Sequence, residues 1–237
     1  MKSKKIIKII AGVIIFLTLP SLLFFGFVYL KYNEDLPVGS QPEKADMLAH
    51  KMLIALNADA YDATNYLEWT FRRKHHFKWN KKDSICEVNW REYKVDLDLN
   101  NPSKSVAYIH NFRIDNEKSI ELIDTATKYF NNDSFWLVAP YKVFDKGTKR
   151  RIVKQDNKDA LLVTYTKGGT TPGDSYLWIL DENYKPTKFK MWVDILPIGG
   201  LEASWNSWKT TKSGAQLPTQ HKLLFFGLHM GDVKGRN

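Results

Sequence analysis

Histidine and cysteine are the residue types in this chain whose spacing could support acid–base, nucleophilic or metal chemistry. His75 and His76 are adjacent in a segment that alternates between apolar and polar residues. Neighbouring side chains on a strand leave opposite faces, so these two cannot coordinate one metal ion without a bulge. The single cysteine, Cys86, alternates with Val88 and Trp90 and has the pattern of a core residue. A nucleophilic pair of Cys86 with a distant histidine is therefore not expected.

The motifs of common enzyme classes are missing from the sequence. It has no Gly-x-Ser-x-Gly elbow, no His-Glu-x-x-His, no Cys-x-x-Cys and no phosphate loop. The glycine-rich segment 168–174 lacks the Lys-Ser/Thr end of a phosphate loop, and we interpret it as a hairpin turn between two strands. We predict no catalytic residue, no metal site and no cofactor. The alternative is an extracytoplasmic hydrolase with a dispersed site.

The candidate ligand-binding residues lie on one face of a segment that alternates from Leu67 to Trp79, which we predict to be one long strand. They are Trp69, Phe71, Arg73, His75, Phe77 and Trp79. Arg73 and His75 are the polar members of this face, and a buried charge needs a partner. Either both histidines lie near a sheet edge and are satisfied by neighbours, or His75 and Arg73 bind a carboxylate or phosphate head group inside an apolar cavity.

Two helices and further strands must position this face. A helix is predicted at 43–57, where apolar residues recur at three- and four-residue steps, and another at 115–130, followed by irregular chain to 145. Further strands are predicted at 85–90, 93–99, 106–114, 149–154, 160–166, 176–180, 187–195, 201–211 and 216–226. The predicted fold is α+β: a curved antiparallel sheet forming an unclosed barrel of about nine to eleven strands, with helices over its concave face.

An apolar segment near the N-terminus predicts a membrane anchor. Residues 9–30 carry no charge, and a helix of this length spans the roughly 30 Å hydrocarbon layer. A cleaved signal peptide is the alternative, but its apolar core is shorter and ends at small residues. Here the segment ends in the bulky residues of 27–30, which favours an uncleaved anchor.

The charges beside the anchor predict its orientation. Four lysines precede it and no acid does, so the positive-inside rule places the N-terminus in the cytoplasm of a bacterium and the rest of the chain outside the inner membrane. The predicted organisation is a cytoplasmic basic tail at 1–8, a single-pass transmembrane anchor at 9–30, a linker at 31–42, an extracytoplasmic (periplasmic) β-rich domain at 43–230 and a flexible tail at 231–237.

The composition of the domain limits its partners. The net charge of +9 falls to +5 once the first 30 residues are set aside, and the basic residues are spread out. Anionic lipid head groups explain this excess as well as nucleic acid would, and we predict no nucleic-acid partner. One cysteine allows no intramolecular disulfide, so stability must come from packing, for which 8 Trp, 13 Phe and 11 Tyr supply apolar surface.

Several short stretches of the second half carry a family resemblance. They are WILDENYKP at 178–186, the strand 189–195, the segment 205–211 and GAQLPT at 214–219. Together with the order of elements over 43–226, they resemble the LolA/LolB-like fold of periplasmic lipoprotein carriers and related lipid-binding domains. The resemblance implies an unclosed barrel with a helical lid, an apolar cavity for acyl chains and no catalysis.

The chain departs from that family in its N-terminus. The soluble carriers are released by signal cleavage and their acceptors are anchored by a lipidated cysteine, and neither feature is expected here. We therefore predict a membrane-tethered, non-catalytic domain that binds a lipid, a lipoprotein acyl chain or another apolar ligand. The alternative is a structural or protein-interaction domain of a cell-envelope assembly, whose protein partners the sequence does not identify.

Overall fold

A computed structural model of the chain describes residues 2–168 and 171–237, so the centre of the predicted glycine-rich turn lies outside the described residues. The helices are α1 (Lys2–Tyr32), α2 (Pro42–Ala55), α3 (Ala58–Ala63) and α4 (Glu117–Val138). The strands of the first half are β1 (Tyr66–Phe71), β2 (His75–Asn80), β3 (Ile85–Trp90), β4 (Tyr93–Asp98), β5 (Val106–Ile109) and β6 (Phe112–Ile114). Those of the second half are β7 (Thr148–Gln155), β8 (Lys158–Tyr165), β9 (Ser175–Leu180), β10 (Pro186–Trp192), β11 (Leu201–Ser204), β12 (Ser207–Thr210), β13 (Gln216–Leu223), β14 (Phe226–His229) and β15 (Lys234–Arg236).

The strands form two unclosed antiparallel sheets, which confirms the predicted α+β class. The first sheet has the order β15-β1-β2-β3-β4-β5-β6, and the second has the order β12-β13-β11-β10-β9-β8-β7 with β14 beside β13. Helix α4 packs against β4 and β5 of the first sheet, and α2 packs against β7 and β8 of the second. Each sheet thus has its own helix and its own apolar core.

The segment predicted as one long strand from Leu67 to Trp79 is instead the hairpin β1–β2. Its turn is residues 72–74, where Arg72 and Arg73 have φ of 51° and 58°. Phe71 pairs with His75 across this three-residue loop. Because the loop has an odd number of residues, the odd-numbered side chains stay on one face, and the alternation is the same as in an unbroken strand. The predicted strand at 106–114 is likewise a hairpin, which raises the strand number above the prediction.

Helix α4 is longer than predicted and extends to Val138, through residues expected to be irregular. The side chain of Asn116, not Asp115, caps it by accepting from the Lys118 N–H at 3.1 Å. Its buried stripe includes Leu122, Ala126, Phe130, Asp133 and Leu137, while Ile120, predicted to be buried, is 70 % exposed. The apolar residues after 130 therefore continue a helix face.

The C-terminal segment joins the two sheets, so the predicted flexible tail at 231–237 is wrong. On one side β15 pairs with β1 over Tyr66–Glu68, and on the other side β14 pairs with β13. Between them, the Thr70 N–H donates to the Met230 carbonyl at 2.9 Å and the Arg72 N–H donates to the His229 carbonyl at 2.8 Å. These bonds hold the C-terminal segment in place, although its Gly, Lys and Asp residues had suggested a frayed end.

The linker after α1 is bound to the second sheet. Ser40 and Ile152 exchange two backbone hydrogen bonds, at 3.1 and 2.7 Å. The Glu34 N–H donates to the Gly199 carbonyl at 3.0 Å, and the Glu34 carboxylate accepts from Lys190 Nζ at 2.7 Å. Before the linker, residues 5–32 of α1 are long and apolar enough to cross a membrane. The domain is therefore held close to the end of this helix.

His221 connects β13, β11 and α4 in the interior. Its Nδ1 lies 2.8 Å from the Ser204 carbonyl and its Nε2 lies 2.7 Å from the Trp136 carbonyl. Burial lowers the pKa of His221 to about 4, and this effect outweighs the two carbonyls, which favour the protonated ring. The buried ring is therefore uncharged at neutral pH.

Val233→Ala is expected to lower the free energy of unfolding by about 2 kcal/mol, because Val233 is fully buried beside the first sheet and the truncation leaves a cavity. Urea unfolding followed by tryptophan fluorescence measures it. Val38→Ala makes the same change at a side chain that is 96 % exposed and should have little effect. Equal effects of the two substitutions would show that the tail is not packed.

A second prediction concerns acid stability. Unfolded histidine has a pKa near 6.5, so the stability due to neutral His221 is complete above about pH 6.5 and is lost as the pH falls towards 4. Between pH 7 and pH 5 this loss should be about 2 kcal/mol. His221→Gln keeps a side chain that can donate a hydrogen bond but does not titrate. Its free energy of unfolding should fall less over this range than that of the natural chain, and an identical fall would contradict the assignment.

Candidate functional site

A cleft with a volume of about 800 Å³ lies at one end of the first sheet. Three elements enclose it. The β1–β2 turn contributes residues 71–75, the β3–β4 turn contributes Trp90 and Arg91, and α4 contributes Lys128, Tyr129 and residues 132–133. Since both turns are short loops between paired strands, the sheet fixes the positions of their side chains.

The rim of the cleft is strongly basic. Its cationic side chains are Arg72, Arg73, Lys74, Arg91 and Lys128. Lys128 pairs with Asp124 at 2.7 Å, one helical turn away, whereas the two turns supply cations that form no ion pair within the described residues. Uncompensated positive charges around one opening attract an anion. Arginine in particular presents a planar set of donors that matches carboxylate and phosphate oxygens.

The floor of the cleft is an ordered polar pair. His75 Nδ1 donates to the Asp133 carboxylate at 2.7 Å, and Asn132 donates to its other oxygen at 2.8 Å. Asp133 is only 2 % exposed. The His75 ring stacks on Tyr129 with 3.8 Å between ring centroids. Asp133 therefore holds one edge of the imidazole and Tyr129 covers one of its faces, while Nε2 has no hydrogen-bond partner within the residues that the structure describes.

One wall of the cleft is apolar. Phe71 and Trp90 are buried except for the surface they present there, and Trp90 packs edge-on to Tyr129 with 5.5 Å between centroids. The combination of a basic rim and an aromatic wall suits a ligand with an anionic group and a neighbouring apolar part.

The predicted binding residues divide between this cleft and the core. Phe71, Arg73 and His75 line the cleft, with Arg73 in the turn and not on a strand face. Trp69 and Phe77 are fully buried and stack at 4.5 Å. The remaining candidate, Trp79, packs edge-on to Phe130 at 5.1 Å.

Each of the two histidines has a side-chain partner at its Nδ1, but neither lies at a sheet edge. Strand β2 lies inside the first sheet. His76 leaves the face opposite His75, as predicted, and its Nδ1 lies 2.8 Å from Thr70 Oγ1. Cys86 is fully buried, and burial raises the pKa of its thiol.

Sequence reasoning missed most of the site, because only Phe71, Arg73 and His75 of its eleven lining residues were predicted. Arg91 and Trp90 come from a turn, and Tyr129 and Asp133 come from the part of α4 near or beyond its predicted end. Asp133 continues the buried stripe seven residues after Ala126. The sequence did contain a signal for Asp133, because it is an acidic residue on an otherwise apolar helical stripe. A carboxylate buried at such a position requires a partner.

No known protein family matches the sequence, and no curated protein does. Among solved structures, the chain is similar to a DUF1329 family protein from Desulfovibrio piger. The TM-score is 0.42 at 10 % identity, and the match covers 83 % of this chain and 93 % of that chain. We infer no function from this likeness.

Asp133→Ala is expected to lower the free energy of unfolding by about 3 kcal/mol, because it leaves His75 without its partner in a mostly buried site. Asp124→Ala on the exposed face of the same helix is the matched control and should have little effect. In a double-mutant cycle with His75→Ala, the two sites should couple by about 2 kcal/mol. Additive effects would mean that the interaction between His75 and Asp133 contributes nothing to the free energy of unfolding.

Proposed function

We propose that this protein is a membrane-tethered, non-catalytic domain whose basic cleft binds the anionic head group of a lipid or of another amphiphile. The observation that carries the proposal is the basic rim beside an aromatic wall, where the cations of the two turns form no ion pair within the described residues. Arginine binds phosphate oxygens through paired, charge-assisted hydrogen bonds. The wall of Phe71, Trp90 and Tyr129 accepts the apolar segment that follows the head group.

The position of the cleft relative to α1 supports a ligand at the membrane surface. The Phe225 ring lies 6.4 Å from the Phe24 ring of α1. From Phe225, β14 leads to His229, which bonds the backbone of Arg72 at 2.8 Å. Four residues of strand cover about 13 Å. The basic rim is therefore within reach of the head groups around α1.

The anchor and its orientation belong to the same proposal. We place α1 in a bacterial inner membrane with the four N-terminal lysines in the cytoplasm and the domain in the periplasm. The resemblance to LolA/LolB-like lipid-binding domains supports the same ligand class. The ligand is placed in the cleft and not inside the sheets, because Trp69 and Phe77 occupy the face where an interior cavity was expected.

Native mass spectrometry of the full chain in a non-ionic detergent tests the proposal. The natural chain should retain phosphatidylglycerol in preference to phosphatidylcholine of equal chain length. In Arg73→Gln/Arg91→Gln the affinity for the anionic lipid should fall at least about tenfold, since two charge-assisted contacts are lost. Arg113→Gln/Lys149→Gln removes the same charge from exposed sites outside the cleft and should leave the preference unchanged.

The competing outcomes are distinct. Displacement of the lipid by inorganic phosphate alone would assign the cleft to free phosphate. Equal retention of both lipids, or equal losses in the two double variants, would overturn the proposal and favour a structural or protein-interaction domain.

A further inference from the structure

We infer that the tip of the β13–β14 hairpin, with the exposed side chains of Phe225 and Phe226, inserts into the lipid bilayer beside α1 as a second membrane contact. The partner of this surface is the acyl-chain region of the bilayer. The inference rests on the proposed function in one respect, namely that α1 crosses the membrane.

The turn carries two large exposed aromatic side chains. Phe225 is 63 % exposed and Phe226 is 54 % exposed, and their rings lie 4.3 Å apart. They form one continuous apolar patch at the tip of a hairpin. Contiguous exposed apolar surface of this kind marks a contact with a protein or a membrane.

The contact with α1 identifies the membrane as the partner. Phe225 lies against Phe24, six residues before Leu30, the last residue of the uncharged segment. Six residues of helix correspond to about 9 Å. One turn further along α1, Val28 is 7 % exposed and belongs to the core of the second sheet. If the uncharged segment lies in the hydrocarbon layer, the Phe225 ring lies there too.

The chemistry of the turn points the same way. Leu223 pairs with Phe226, so the loop is the two residues Leu224 and Phe225, and Leu224 has φ of 53°. Two-residue hairpin loops favour Gly, Asn or Asp, because these residues tolerate positive φ. The chain uses Asp156 and Asn157 in this way between β7 and β8. In water, this loop combines the backbone strain at Leu224 with the exposure of the Phe225 ring, and insertion into lipid removes the cost of that exposure.

The consequence is a two-point attachment that sets the orientation of the basic cleft. A helix alone fixes the distance of the domain from the bilayer but not its tilt, whereas a helix and an inserted hairpin tip fix both. Since β14 runs from the tip to His229 beside Arg72, insertion of the tip fixes the height of the cleft rim above the bilayer. Lys222, exposed three residues before Phe225, is then at head-group level.

Depth-dependent fluorescence quenching in the full chain tests the insertion. Phe225→Cys, labelled with an NBD fluorophore, is reconstituted into phosphatidylcholine vesicles whose acyl chains carry bromine. The buried Cys86 stays unlabelled in the folded chain. Val13→Cys, inside the uncharged segment of α1, is the lipid-exposed reference, and Glu182→Cys, in the exposed β9–β10 turn, is the aqueous reference. The label at 225 should be quenched by the bromolipid as strongly as the label at 13, and the label at 182 should respond to iodide in the buffer.

Two results would overturn the inference. Quenching at 13 together with iodide access at 225 would leave the anchor intact and place the tip in water. An unquenched label at 13 would remove the membrane span, and the inserted tip with it. The head-group preference is measured separately: Phe225→Ser/Phe226→Ser leaves the cleft intact and should retain phosphatidylglycerol as the natural chain does, so the two proposals fail independently.

Discussion

The backbone pairing between β1 and the C-terminal segment is the constraint on which the rest of the structure depends. Without it, β1 would present an unpaired edge, and the two sheets would be connected through side-chain packing, such as that of Leu217 from β13 in the core of the first sheet. The pairing runs from His229 beside Arg72 to Arg236 beside Tyr66. It therefore fixes the β1–β2 turn, which carries three of the five cations of the basic rim, relative to the hairpin tip that reaches α1.

The cleft uses this framework and adds one long helix. Helix α4 packs across β4 and β5, so its buried stripe faces the first sheet, and its seventeenth residue, Asp133, meets the imidazole of His75 from β2. A carboxylate at this depth requires a fixed partner, and His75 can be that partner only because the hairpin turns three residues earlier. Rim, floor and wall are thus each held by paired backbone.

The parts that could be predicted are those whose signal is local. The stripe of α2 and the alternation of β3 are complete within one element, and both were placed within two residues of their observed bounds. The β1–β2 hairpin was missed because its odd loop preserves the alternation and because arginines, not glycines, take the positive φ. The His75–Asp133 pair joins residues 58 apart in sequence, and no periodicity within one element contains it.

The aromatic content explains why a ligand is expected at the surface. Trp69, Trp178 and Trp205 are fully buried, and their indole N–H groups have no hydrogen-bond partner within the described residues. Each such group costs about 1–3 kcal/mol, which the packing of large apolar rings must exceed. A domain without a disulfide gains its stability by filling both cores in this way. The proposed binding at the basic rim would leave those cores closed, and the proposed tether, by keeping the rim near lipid, would remove the need to enclose an acyl chain.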